Sequence, residues 1–166
     1  MKKNKIKVAS VQMRFRSSLS ENVEWILETI RSTARRGAEA ILFPECAVTG
    51  YNCDFAKLSG VAIHAALALV ARAARASRCS VLIGCPTIQK GKRYNSLLVF
   101  NRRGQEVFRY SKIHLTTREA GVFAPGDSLA LFPIDGIPCT AIICHERRYP
   151  ELVRLPVMLG AQIVFH

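Results

Sequence analysis

Thr140-Ala141-Ile142-Ile143-Cys144-His145-Glu146-Arg147-Arg148-Tyr149-Pro150-Glu151 is the stretch on which the fold turns. Its first four residues are an apolar, β-favouring run. Its last two suit the first turn of a helix, where proline's missing N–H goes unneeded and a carboxylate meets the positive helix end. Between them stand a thiol and a burst of charge. A buried strand that breaks into a helix start, with a nucleophile at the junction, is how an α/β scaffold presents a reactive group. Taken alone, Cys144 reads as a small buried hydrophobe, so its context has to decide.

Working outward, Leu129 to Ile134 and Ile137 to Ile143 flank Asp135-Gly136, a type I′ turn signal, so Cys144 follows the second strand of a hairpin. Asn95 to Phe100 and Glu106 to Tyr110 form another hairpin around Arg102-Arg103-Gly104-Gln105, with Lys112 just beyond it. Nearer the N-terminus, Lys7 to Met13 predicts a strand and Ser18-Leu19-Ser20-Glu21 a capping box. Val23, Ile26, Leu27, Ile30 and Ala34 then recur at helical spacing up to Gly37, and Ala40-Ile41-Leu42-Phe43 is a short buried strand ending at Pro44-Glu45. An Ala-rich helix from Val61 to Arg78, with Ile63, Leu67, Val70 and Ala74 on one face, leads to a strand from Val81 to Ile88. These are two β-α-β units. Past the nucleophile, Glu151 to Leu159 predicts a helix closed by Gly160; Pro156 should kink or shorten it, since an interior proline costs about 3 kcal/mol. Gln162 to Phe165 begins another strand. The fold class is α/β.

The 166 residues, 49% of them hydrophobic, suit one globular domain spanning 1–166. The basic start Met1-Lys2-Lys3-Asn4-Lys5 lacks a signal-peptide h-region, because Lys7, Ser10 and Gln12 interrupt the short apolar stretch after it, and no segment is apolar enough to span a bilayer. A cytoplasmic protein with six free thiols is expected. Cys46, Cys53, Cys79, Cys85, Cys139 and Cys144 contain no C-x-x-C pair and no histidine at zinc-finger spacing, so no metal is expected. Neither phosphate-binding glycine motif is present, which removes nucleotide chemistry. Lys and Arg total 24 against 12 acidic residues, a net charge of +12. The cations fall in scattered pairs, Arg35-Arg36, Arg102-Arg103 and Arg147-Arg148, without interleaved aromatics, so nucleic-acid binding is only the lesser alternative.

Three strand exits carry reactive side chains: Glu45 after Leu42-Phe43-Pro44, Lys112 after Arg109-Tyr110-Ser111, and Cys144 after Ile142-Ile143. With Thr49-Gly50-Tyr51 behind the first, Ile113-His114-Leu115 behind the second, Arg147-Arg148-Tyr149-Pro150-Glu151 behind the third and Val8-Ala9-Ser10-Val11-Gln12-Met13 opening the chain, they resemble the nitrilase superfamily of carbon-nitrogen hydrolases. The resemblance implies a partial α-β-β-α sandwich, the N-terminal part of a domain whose C-terminal strands and helices are lacking. It implies Cys144 as nucleophile, Glu45 as general base and Lys112 as the cation for the oxyanion. Glu119, in Thr117-Arg118-Glu119-Ala120-Gly121, would be the additional glutamate beside the lysine. No metal or organic cofactor is implied, and a homodimer pairing through helices near the nucleophile is. Nitrilases proper usually show tryptophan where His145 stands, which favours a small amide or N-carbamoyl substrate over a nitrile.

The chemistry explains these residue types. A thiol with an ordinary pKa of about 8.5 is only slightly ionised at neutral pH and needs a base beside it, while Lys112 and the His145 backbone N–H would stabilise the developing oxyanion. The His145 ring is not expected to serve Cys144, because neighbours in extended chain face opposite ways. Glu146 and Glu151 read as helix caps or as partners of Arg147 and Arg148. The bland readings are a turn cap for Glu45, a surface cation for Lys112 and a loop charge for Glu119. The leading alternative function is a catalytically inactive truncated scaffold or interaction fragment.

Overall fold

The computed structural model describes residues 5–51 and 53–166, so the first four residues of the basic N-terminal stretch lie outside the described residues. Two sheets are present among the described residues. The first runs in the order β1 (Val8–Ser10), β2 (Ala40–Leu42), β3 (Ser80–Gln89), β4 (Lys92–Phe100), β5 (Glu106–Ser111), parallel up to β3 and antiparallel after it. The second is β6 (Phe132–Ile134), β7 (Ile137–Ala141) and β8 (Ile163–Phe165), with β6 antiparallel and β8 parallel to β7. The crossovers α1 (Leu19–Arg35) and α2 (Gly60–Ser77) complete the two expected β-α-β units, and α4 (Glu151–Met158) makes a third between β7 and β8.

Two cores order these elements into layers. Ile26 and Ile30 of α1 and Val70 of α2 pack with Ile41, Ile83 and Leu98 of the first sheet. Leu82, Leu97, Val99 and Tyr110 pack with Phe132, Ile134, Cys139 and Phe165 of the second. Alternate residues of β3 thus serve opposite cores, which is why the strand reads as an unbroken apolar run. With α4 packed on β7, the layers run α-β-β-α. Burying a side chain such as Ile26, which has no exposed surface, contributes about 1.5–3 kcal/mol.

Local signals hold where the physics is local. Ser18 Oγ accepts the Glu21 N–H at 3.2 Å and Glu21 Oε2 accepts the Ser18 N–H at 3.0 Å, the reciprocal bonds of a capping box. Asp135 and Gly136 have φ of 50° and 83°, as a type I′ hairpin requires. A second turn of this sort, Lys90-Gly91 with φ of 48° and 76°, joins β3 to β4 and was not anticipated.

Strand ends differ from expectation because pairing partners set them. β1 covers three residues, not Lys7 to Met13, since its neighbour β2 offers only three. β6 begins at Phe132, not Leu129, and β7 stops at Ala141, where β8 ends opposite it. Two residues therefore separate β7 from Cys144. Pro156 lies inside α4, buried with Leu152, and the helix closes after eight residues. At the far end of the sheets from Glu45, Arg102 joins Asp135 of the β6–β7 turn, its Nε–Oδ1 bond 2.9 Å, and Glu39 before β2 at 3.2 Å.

Candidate active site

Glu45 opens a turn at the exit of β2. The Phe43 N–H bonds Leu82 O at 2.8 Å and the Val48 N–H bonds Gly84 O at 3.4 Å, so the turn is clamped to β3 on both sides. That close approach demands glycine at position 84: a Cβ there would sit 2.4 Å from Pro44 O and 2.6 Å from Glu45 Cα. Lys112 follows β5, its N–H bonded to Asn95 O at 2.8 Å and its carbonyl to the Gly126 N–H at 2.9 Å. Glu119 sits in the one-turn helix α3 (Thr117–Ala120), where its Oε2 accepts the Thr116 N–H at 2.9 Å.

These anchors converge. Lys112 Nζ donates to Glu45 Oε1 at 2.7 Å and to Glu119 Oε1 at 2.9 Å, and Lys112 has no exposed surface. The surface-cation reading of Lys112 and the loop-charge reading of Glu119 therefore fail. Asn95 on β4, fully buried, donates from Nδ2 to the same two oxygens, at 2.7 Å to Glu45 and 2.8 Å to Glu119. One ammonium and one amide thus hold two like-charged carboxylates together. Asn95 was missed, because one asparagine in a strand carries no sequence signal until β4 is in register with the exits on either side.

Cys144 starts a 3-10 turn, Cys144–Arg148, with a left-handed φ of 47°, and is exposed. A non-glycine residue there costs about 1–3 kcal/mol and persists only where its surroundings enforce it. Its carbonyl accepts Arg147 Nη1 at 3.3 Å. The extended geometry expected at His145 is corrected: that residue lies in the turn, and its ring meets Tyr149 edge-on at 5.7 Å. Its N–H belongs to the first turn, which leaves such groups without an intrahelical partner. Glu146 departs furthest from expectation. It does cap the turn, accepting the Ile143 N–H at 2.7 Å, but it is fully buried and its other oxygen bonds Tyr110 and the chain after Lys112, not Arg147 or Arg148.

Glu45 and Cys144 share a cavity of about 360 Å³, whose wall includes Phe15, Tyr51, Leu97 and Phe165. Burial pushes the Cys144 thiol above its ordinary value, as does the charge of Glu45; Lys112 and Arg147 act against this. Burial works to lower the Lys112 pKa, but its bonds to Glu45 and Glu119 outweigh it and the net shift is upward. For Glu119, burial works upward and is overcome by Lys112, Thr116 and Asn95, which bring it down to about 2. A depressed carboxylate contributes stability that is full above its unfolded pKa and lost as pH falls through the folded one. Between about pH 4.5 and 2, roughly 3 kcal/mol should disappear. Acid unfolding of Glu119→Gln should lack this component; coincident pH profiles for both proteins would contradict it.

Among the described residues no group of three His, Cys, Asp or Glu side chains could hold a metal ion, and no helix is long and apolar enough to cross a membrane. At the strand exits of an α-β-β-α fold, a buried lysine thus joins two carboxylates, one of which shares a cavity with a thiol. Residues 7–166 match the carbon-nitrogen hydrolase family model, and the chain belongs to that family. It is 29% identical over 178 residues to nitrilase homolog 2 of Dictyostelium discoideum, covering 99% of this chain and 54% of that protein. Over 177 residues it is 29% identical to omega-amidase NIT2 of Homo sapiens, covering 96% and 62%. A crystal structure of an amidase from Nesterenkonia sp. shares the fold, with a TM-score of 0.89 at 23% identity over 96% of this chain and 63% of that one. The chain thus spans between about half and two thirds of the length of these proteins.

Proposed function

We propose that the chain carries the reacting groups of a hydrolase for non-peptide carbon-nitrogen bonds in small amides or N-carbamoyl compounds. The observation that carries this reading is the fully buried Lys112 ammonium, bonded to Glu45 and Glu119, next to a cavity that Glu45 shares with Cys144. Glu45 Oε1 is already taken by Lys112 and Asn95, which leaves Oε2 for the thiol. As Cys144 Sγ bonds the substrate carbonyl carbon, its proton passes to Glu45, and the carbonyl oxygen gains negative charge facing Lys112 and the His145 N–H. Counting Lys112, Glu45 and Glu119, the cluster holds a net charge of −1 before this step. It holds the same after it, with Glu45 protonated and the oxyanion formed. Glu45 then returns the proton to the departing nitrogen as the C–N bond breaks, leaving a thioester on Cys144. Water, deprotonated by Glu45, attacks the thioester and releases the acid and the free thiol.

The mainly apolar cavity wall supports an uncharged substrate, and two of the three relatives named above, the omega-amidase and the amidase, favour amides over nitriles. The reading includes a reducing cytoplasm as the protein's compartment. It also includes a homodimer, for which α4 and the residue after it offer an apolar surface, with Met158 74% and Leu159 68% exposed. Incubation with small amides and carbamoyl compounds, followed by rapid acid quench, should give ammonia and a peptide containing Cys144 heavier by the acyl group. A folded chain that yields neither would defeat the proposal.

A further inference from the structure

Glu146 enters none of the catalytic steps, yet its carboxylate accepts four hydrogen bonds. Oε1 takes the Tyr110 hydroxyl at 2.7 Å, the Ile113 N–H at 2.7 Å and the His114 N–H at 3.2 Å; Oε2 takes the Ile143 N–H at 2.7 Å. Tyr110 stands two residues before Lys112 and Ile113 directly after it, while Ile143 directly precedes Cys144. A single side chain therefore grips the chain on both sides of the cation and at the entrance to the nucleophile's turn. A parallel link reinforces it, the His114 ring stacked on Tyr149 with centroids 3.7 Å apart and planes 8° apart. A buried carboxylate is costly unless its oxygens are satisfied, and here all four donors come from the two segments to be joined. Cys144 also needs such a hold, because its left-handed φ persists only under outside restraint.

We propose that Glu146 is a positioning residue that fixes the spacing between the Lys112 ammonium and the Cys144 thiol by tying their two chain segments together. The proposal rests on the proposed hydrolase function, in which that spacing matters. Glu45 from the β2 exit, Lys112 from the β5 exit and Arg147 from the turn itself are the charges that act on the thiol, and Lys112 is the first of those that favour its ionised form. Slackening the tie therefore lessens the help from Lys112 and leaves the opposition of Glu45. In Glu146→Gln the side chain keeps its size but presents an N–H₂ group to at least one of the four donors, so one of the two segments is released. Tyr110→Phe removes one bond and keeps the buried ring.

The experiment follows alkylation of Cys144 by iodoacetamide against pH, read by mass on the peptide containing Cys144, with half-buried Cys53 as the internal control. The Cys144 midpoint should rise by about one pH unit in Glu146→Gln and by less in Tyr110→Phe, with the Cys53 midpoint unmoved. Variants that melt at lower temperature while the Cys144 profile overlays the wild type would overturn the positioning role and leave Glu146 as a buried structural acid. If Glu146→Gln does not fold, Tyr110→Phe decides by the same criterion. Alkylation needs no turnover, so it is independent of the acyl adduct that tests the hydrolase function, and either can fail alone.

Discussion

Lys112→Met should lose both stability and turnover, and the two losses should separate in a double variant. Methionine fills the space of the lysine stem but leaves the Glu45 and Glu119 carboxylates facing each other, with Asn95 as their one shared donor. Removing one partner from a buried ion pair costs about 3–5 kcal/mol, because the remaining charge keeps its desolvation penalty. For a chain of this size, that lowers the melting temperature by roughly 6–20 °C. Turnover should fall by about two to three orders of magnitude, the usual effect of losing a donor aimed at an oxyanion. Adding Glu119→Gln removes the excess negative charge, so thermal denaturation of the double variant should return toward the wild type while ammonia release stays low. Recovery of both would show that Lys112 is only a structural counter-ion, and loss of neither would remove both roles.

The reach of the sequence reading tracks the range of the forces concerned. Ser18 with Glu21 and Asp135 with Gly136 were legible because the donors, acceptors and torsions involved lie within three residues. The three strand exits were legible because an apolar run that stops at a charge or thiol marks the end of a buried strand wherever it pairs. The resemblance placed Glu45, Lys112, Glu119 and Cys144 in one site, and the geometry brings the first three into direct contact, with Cys144 on the cavity beside Glu45. What stayed hidden depends on register between distant segments. Asn95 reaches Glu45 across 50 positions and Glu119 across 24, and nothing beside it in the chain announces this. Glu146 was half legible: its local bond to Ile143 is the cap expected, whereas its bonds to Tyr110 and Ile113 cross 36 and 33 positions. The short reach of β1 and β6 was hidden for the same reason, since a strand ends where its neighbour does and not where its own propensity runs out.

Gly84→Ala should weaken catalysis more than its size suggests, because it acts on the base through backbone alone. The nearest atoms to a new Cβ are Pro44 O at 2.4 Å, Glu45 Cα at 2.6 Å and Cys46 N at 2.7 Å, against ordinary contact beginning at 3.4 Å. None of them can swing away as a side chain would, so the β2 exit has to retreat from β3 by about an ångström or bend. Overpacking of this sort costs about 1–3 kcal/mol. The larger effect is on geometry, since a displacement of about 1 Å in a reacting group can reduce the rate about a hundredfold. The displaced segment carries Glu45 away from Lys112 and Asn95, while Cys144, in the turn that follows β7 of the other sheet, stays where it is. The suitable control is Gly91→Ala in the β3–β4 turn, where the glycine has a φ of 76° and nothing lies within 4 Å of the added Cβ. There alanine costs about 1–2 kcal/mol of backbone strain but moves nothing in the site. Measured side by side, the two variants should have similar melting temperatures and very different rates of ammonia release. Equal rates would mean that the fit between Gly84 and the Glu45 turn has no bearing on the base.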